Sequence, residues 1–167
     1  MIKRETWATV VGISTIPALW AVLTNHISIH TGTTAMAAAA VYVLAAKSPK
    51  DGIRMSIGEL LGIVWTMITL WLMKTLTFNA DIATFLILFV MVAVIIIICS
   101  FLPKVIDLFG WLVGYALALT VLIPVAQAGG DTMSYCIQLA VSFLVGIWCV
   151  GCVGGMIIQA IAKPREK

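Results

Sequence analysis

The stretch "SIGELLGIVW", residues 56–65, places one glutamate, Glu59, between Gly58 and Gly62 at the head of a long apolar run. A carboxyl in that place has two uses. Ser56-x-x-Glu59 has the spacing of a capping box. The serine oxygen would accept the backbone N–H of residue 59, and the glutamate would reach back to the N–H of Ser56. The acid would then also sit at the positive end of the helix dipole. The other use is a carboxyl lining a vestibule, since ionisable groups within membrane spans mark solute and ion paths. A helix that begins just after Ser56 leaves Glu59 in its first turn, near headgroups and near Arg54, so the cap is the preferred reading.

The remaining reactive side chains form weaker sets. His26 and His30 are four apart, but no Cys, Asp or Glu lies close by in sequence, so a solvated loop is favoured over a metal site. Cys149-x-x-Cys152 has redox or metal spacing but stands alone within an apolar run, where small packing residues are the simpler account. No Ser/His/Asp set, phosphate loop or carboxylate pair is present. The chain is expected to be no enzyme and to carry no cofactor or metal.

Two tryptophans stand apart from the rest. Trp7, Trp20, Trp71 and Trp111 fall near the ends of apolar segments, where interfacial aromatics belong. Trp65 and Trp148 fall well inside theirs, where an indole N–H needs a partner or a polar cavity. Helical spacing puts Gly58, Gly62, Trp65 and Thr69 on one face, and Gln138, Ser142, Gly146 and Cys149 on another. Such faces either pack together or line a narrow neutral path. On the second reading Gly62, Trp65, Thr69, Ser142, Gly146 and Trp148 line the path, and the two indoles form a hydrophobic constriction near the bilayer centre. Gly58-x-x-x-Gly62, Gly110-x-x-x-Gly114 and Gly151-x-x-x-Gly155 are small-residue faces that let helices approach closely, within or between subunits.

The elements that must position these residues are membrane helices. The chain is 62% hydrophobic and only 10% charged over 167 residues, with a mean hydropathy of +1.14. A soluble globule holds about 45–50% apolar and roughly 25% charged residues, so lipid is the expected solvent. Six apolar segments run over Trp7–Leu23, Thr31–Ala46, Ile57–Leu76, Ile82–Phe101, Val105–Val125 and Tyr135–Ala162. They read as six spans of a single all-α integral membrane domain. With six crossings, nine of the ten basic residues fall on one side, Lys74 being the exception. This asymmetry predicts cytoplasmic termini. The net charge of +3 reflects that orientation, and nucleic acid is not an expected partner.

A faint internal repeat completes the pattern. "KSPKDG" leads on to "GIVW", and "AQAGGD" leads on to "GIWC". A three-span unit used twice inserts upside down the second time, giving halves 7–77 and 82–162 in the 3+3 inverted arrangement of many transporters and channels. The blocks "TTAMAAAAVYVLAAKSPKDGIRMSIGELLGIVWTMI" and "AQAGGDTMSYCIQLAVSFLVG" also resemble those of a bacterial inner-membrane family of unknown function, the YcdZ-like proteins. This chain departs from that pattern at Met133-Ser134 and at Glu59. The resemblance implies an integral inner-membrane protein and supplies no activity. The expected function is a channel or facilitator for a small neutral or weakly polar solute, assembled as a homo-oligomer. The alternative is a structural or partner-binding membrane subunit without transport activity.

Overall fold

The computed structural model describes residues 19–156, apart from positions 21, 25, 28, 46, 47, 77–79 and 155. Most of the first predicted span and the end of the sixth, with both termini, lie outside the described residues. Within them are α1 (Thr34–Ala45), α2 (Pro49–Thr75), α3 (Ala80–Phe101), α4 (Leu108–Gln127) and α5 (Thr132–Val145), which runs on as a π-helix over Gly146–Val153. Four segments are long and apolar enough to cross a membrane: Pro49–Thr75, Asp81–Phe101, Leu108–Gln127 and Thr132–Val153. α1 is apolar but has only 12 residues.

Local chemistry sets the helix ends. Ser48 is extended and Pro49 follows at the first helical position, where a missing N–H costs nothing. The Ser48 hydroxyl donates to Asp51 Oδ2 at 2.9 Å. Asp107 caps α4 by accepting the Gly110 N–H at 2.8 Å. At the far end, Gly129 has φ +70°, and Gly130 and Gly129 donate back to the carbonyls of Val125 and Ala126. This is a Schellman termination, which uses a residue in the left-handed region. Asp131 then caps α5 by accepting the N–H groups of Met133 and Ser134. The two turns that suggested a repeat are therefore unlike each other. Gly52 of "KSPKDG" lies inside α2, whereas the glycines of "AQAGGD" lie outside any helix.

Two close helix crossings hold the bundle together. In one, α2 meets α4 backbone to backbone. A Cβ added to Gly62 would lie 2.3 Å from Tyr115 N, and one added to Gly114 would lie 2.5 Å from Glu59 Cα. Gly58 and Gly110 are equally hemmed in, by the backbones of Asp107, Trp111 and Met55. In the other, α1 meets α5 and its π segment. A Cβ on Gly146 would lie 2.2 Å from the Ala35 carbonyl oxygen. The π-helix has a physical reason here. Its i→i+5 bonding brings residues five apart nearly into line, so Gly146 faces Ala35 and Gly151 faces the Tyr42 ring.

α3 stands at the outside. Ala83, Ile87, Met91, Ile95 and Cys99 recur every four residues and form its buried stripe, while Phe85, Phe89, Ile96 and Ile97 are exposed. The stripe packs with Trp111 and Tyr115 of α4. A separate core joins Ala38, Met55, Ile63, Ala118, Leu122, Leu139, Phe143 and Ile147, drawn from α1, α2, α4, α5 and the π segment. At one end of the bundle the loop before α4 meets the first turns of α2: the Asp107 N–H donates to the Arg54 carbonyl, and the Arg54 guanidinium bonds the Pro103 carbonyl. The backbone N–H of His30 and the side chain of Gln138 meet at 2.8 Å, joining the approach to α1 with α5.

Candidate functional site

Helix α2 begins at Pro49, eight residues before the predicted start of its span. Ser56 is therefore an interior helical residue and has no cap to make. Glu59 lies about 15 Å along the axis from Pro49, at 1.5 Å per residue, and not in the first turn. The capping-box reading is overturned. The start signal is instead Ser48-Pro49-Lys50-Asp51, where serine and acid have the spacing that was sought at Ser56 and Glu59.

The acid is completely buried, with 0% of its surface exposed. Neither Oε1 nor Oε2 has a hydrogen-bond partner. Glu59 is the only Asp, Glu, Lys, Arg or His side chain among the buried residues described. One turn to either side of it on α2 are Met55 and Ile63, both members of the core shared with α1, α4 and α5. Gly114 gives α4 the room to lie directly on its backbone. Most buried polar groups are satisfied, and each exception calls for a reason.

The neighbouring hydroxyls contrast with it. Thr66 Oγ1 donates to the Gly62 carbonyl at 3.0 Å. Thr69 Oγ1 donates to the Trp65 carbonyl at 3.0 Å, and with its one proton so used it accepts from the Tyr115 hydroxyl at 2.9 Å. Ser142 and Thr31 share a hydrogen bond of 3.2 Å between α5 and the turn before α1. All these residues are at most 3% exposed. Of the six residues expected to line a path, Gly62, Gly146, Thr69 and Ser142 serve in this structure as packing and hydrogen-bonding contacts.

The two tryptophans are not brought together. Trp65 Nε1 donates to the Met91 carbonyl of α3 at 3.1 Å, and its ring meets Trp111 edge-on at 5.4 Å between centroids. Trp148 Nε1 donates to Ser56 Oγ at 3.1 Å. Ser56 and Trp65 are nine residues apart on one helix, about 13 Å in depth, and the indoles belong to different packing clusters. The paired constriction is thus not formed. Each indole found a partner on a neighbouring helix, as a buried N–H requires. In its place the geometry brings Trp148 to a pair the sequence had joined only as a cap: its indole closes on Ser56, one turn before Glu59.

His30 donates through its backbone to Gln138 and stacks on Tyr135. Cys149 and Cys152 are free thiols in the π segment. Among the described residues no cluster of His, Cys, Asp or Glu could hold a metal ion.

The sequence model of a family described as "Protein of unknown function (DUF1097)" matches residues 10–159. The chain belongs to this family. All four membrane-length helices and the whole Ser56–Glu59–Trp148 site lie inside the matched DUF1097 region. No curated protein and no solved structure matches the chain.

Proposed function

We propose that this DUF1097 protein is a bacterial inner-membrane facilitator for a small, neutral or weakly polar solute, with its path at the meeting of two inverted three-span halves. The observation that carries the reading is Glu59, a carboxyl that is fully buried, unpartnered and set in the core where α1, α2, α4 and α5 come together. A group so costly to bury has no structural use in a bundle otherwise held by glycine contacts, and intramembrane acids mark pathways.

The two crossings support the inverted arrangement. The register that sets Gly62 on Gly146 also sets Gly58 on Ser142. Gly58 lies against Asp107, just before α4, and Ser142 bonds Thr31, just before α1. So α2 on α4 and α5 on α1 are corresponding pairs, as a twofold axis in the membrane plane would produce. The basic residues Lys50 and Arg54, in the first turns of α2, and Lys104, in the loop before α4, lie together at one end, which fits a cytoplasmic face there. The YcdZ-like resemblance fits the same location, and the exposed apolar face of α3 is available to lipid or to a second copy.

Purified protein in liposomes should raise the permeability to at least one of a panel of small uncharged solutes, read by stopped-flow light scattering. Permeability equal to that of protein-free vesicles for every solute would leave the structural-subunit reading. That reading draws on one observation of its own, the backbone-tight glycine crossings that fill the interior.

A further inference from the structure

We propose that Glu59 is a proton-exchanging site, shuttered by the Trp148–Ser56 hydrogen bond, which holds a proton while the bundle is closed and releases it when the helices part. The inference rests on the transport reading and adds to it a linkage between movement of solute and movement of protons.

An ionised carboxylate in an apolar, water-free site is far costlier than the neutral acid, and proteins avoid it by pairing or by protonation. Glu59 has no pair: both oxygens lack a partner. The ionisable side chains on the elements packed against α2 are Tyr42 on α1, Asp81 and Cys99 on α3, Tyr115 on α4 with Asp107 at its cap, and Tyr135, Cys136, Cys149 and Cys152 on α5 and its π segment. Asp51 and Arg54 are at α2's own start. None of these is hydrogen-bonded to Glu59, and Tyr115 is engaged with Thr69. The closed bundle therefore supplies neither a counter-charge nor a hydrogen-bond donor to the acid. Any water-filled opening would supply both solvation and an acceptor for the proton. The state of the acid is thus tied to the state of the bundle.

The shutter is a second, separate feature. Ser56 is three residues before Glu59 on the same helix, on the side of the Lys50–Arg54 end. Its hydroxyl accepts a hydrogen bond from the indole of Trp148, which comes from the π segment across the bundle. The indole is half-buried and the serine is buried. One turn from the acid, on the side of that end, a large side chain is thus tied to α2 by one hydrogen bond while it packs on the core. The wider π turn and its glycines let that segment shift, since π-helical turns occur mostly at functional sites and glycine faces slide on their neighbours without interlocking side chains.

The test is infrared difference spectroscopy on the full chain in lipid. A pH step applied to wild type and to Glu59→Gln isolates this one acid from the six others. The expected result is a neutral-acid carbonyl band in wild type that is missing from Glu59→Gln. It should shift on transfer to deuterium oxide, vanish on raising the pH and return on lowering it. Absence of the band, or a band that neither exchanges nor titrates, would overturn the proposal, because Glu59 would then be either ionised or permanently sealed. Trp148→Phe and Ser56→Ala, which each delete the shutter bond, should exchange deuterium severalfold faster than wild type; unchanged exchange in both would overturn the shutter. Liposome flux distinguishes failure of the underlying reading, since an exchanging acid without solute flux refutes the facilitator and leaves the proton site.

Discussion

The crossing of α2 on α4 and the crossing of α1 on α5 solve one packing problem in two ways. In the first, both helices contribute glycines, and the backbones touch over Gly58, Gly62, Gly110 and Gly114. In the second, glycine is on one side only; Gly146 meets Ala35 and Ala38, and Gly151 meets the Tyr42 ring. The first has a buried acid at its centre. The register that matches Gly62 with Gly146 sets Phe143 opposite Glu59 in the scheme, and Phe143 is a fully buried hydrocarbon. Both crossings rest on small residues, but the buried acid belongs to only one of them.

This contrast breaks first at Phe143. Phe143→Ala should cost about 3–5 kcal/mol, the usual range for emptying a buried phenylalanine site, measured by unfolding in detergent. Glu59→Met, at the matching place, should do the reverse. Removing a buried unsatisfied group relieves about 1–3 kcal/mol, so this variant should gain stability and lose its infrared band. A destabilised Glu59→Met would mean that the acid has a structural partner and would weaken the functional reading of the site.

The glycines sharpen the comparison at a smaller scale. Gly62→Ala should cost about 1–3 kcal/mol, as overpacking does, and stand at the top of that range because the obstructing atoms are backbone. Gly151→Ala should stand lower in that range, because the nearest atoms, from 2.6 Å, belong to the Tyr42 side chain and not to backbone. Equal losses in the two variants would show that the crossings are equally rigid.

Much of the fold was legible because membrane helices announce themselves by hydropathy, and the small-residue faces by spacing. Four apolar segments recur as membrane-length helices, and Gly58, Gly62, Gly110 and Gly114 do face a helix. What hydropathy marks, however, is the lipid boundary and not the helix boundary. Pro49 to Ser56 are polar enough to be left outside the span, yet they are helical, and that error put Glu59 in a first turn and made it a cap. The signal was available in Ser48-Pro49, a capping residue before a proline. Trp65 and Trp148 were rightly placed within helices, but partners across the bundle are invisible to spacing along one helix. The pairing of Gly58/Gly62 with Gly110/Gly114, and of Gly146 with Ala35, is likewise a tertiary fact. The π turn had only a run of glycines and cysteines to betray it.

The smallest expected effect lies in the polar contacts that tie each crossing. Thr31 and Ser142 bond at 3.2 Å in the α1–α5 pair, and Thr69 and Tyr115 bond at 2.9 Å in the α2–α4 pair. Inside a membrane such bonds average only about 0.6 kcal/mol by double-mutant cycle, because the separated helices also find partners. Cycles of Thr31→Val with Ser142→Ala, and of Thr69→Val with Tyr115→Phe, should both return about that value. The second should be the larger, for two reasons. Its bond is shorter, and Thr69 has already spent its own proton on the Trp65 carbonyl, so the Tyr115 hydroxyl is held in one direction. The Thr31–Ser142 pair has no such constraint, because either hydroxyl can donate. A coupling energy near zero for Thr69 with Tyr115, alongside a clear one for Thr31 with Ser142, would reverse the ranking of the two crossings and make the α1–α5 pair the more firmly tied.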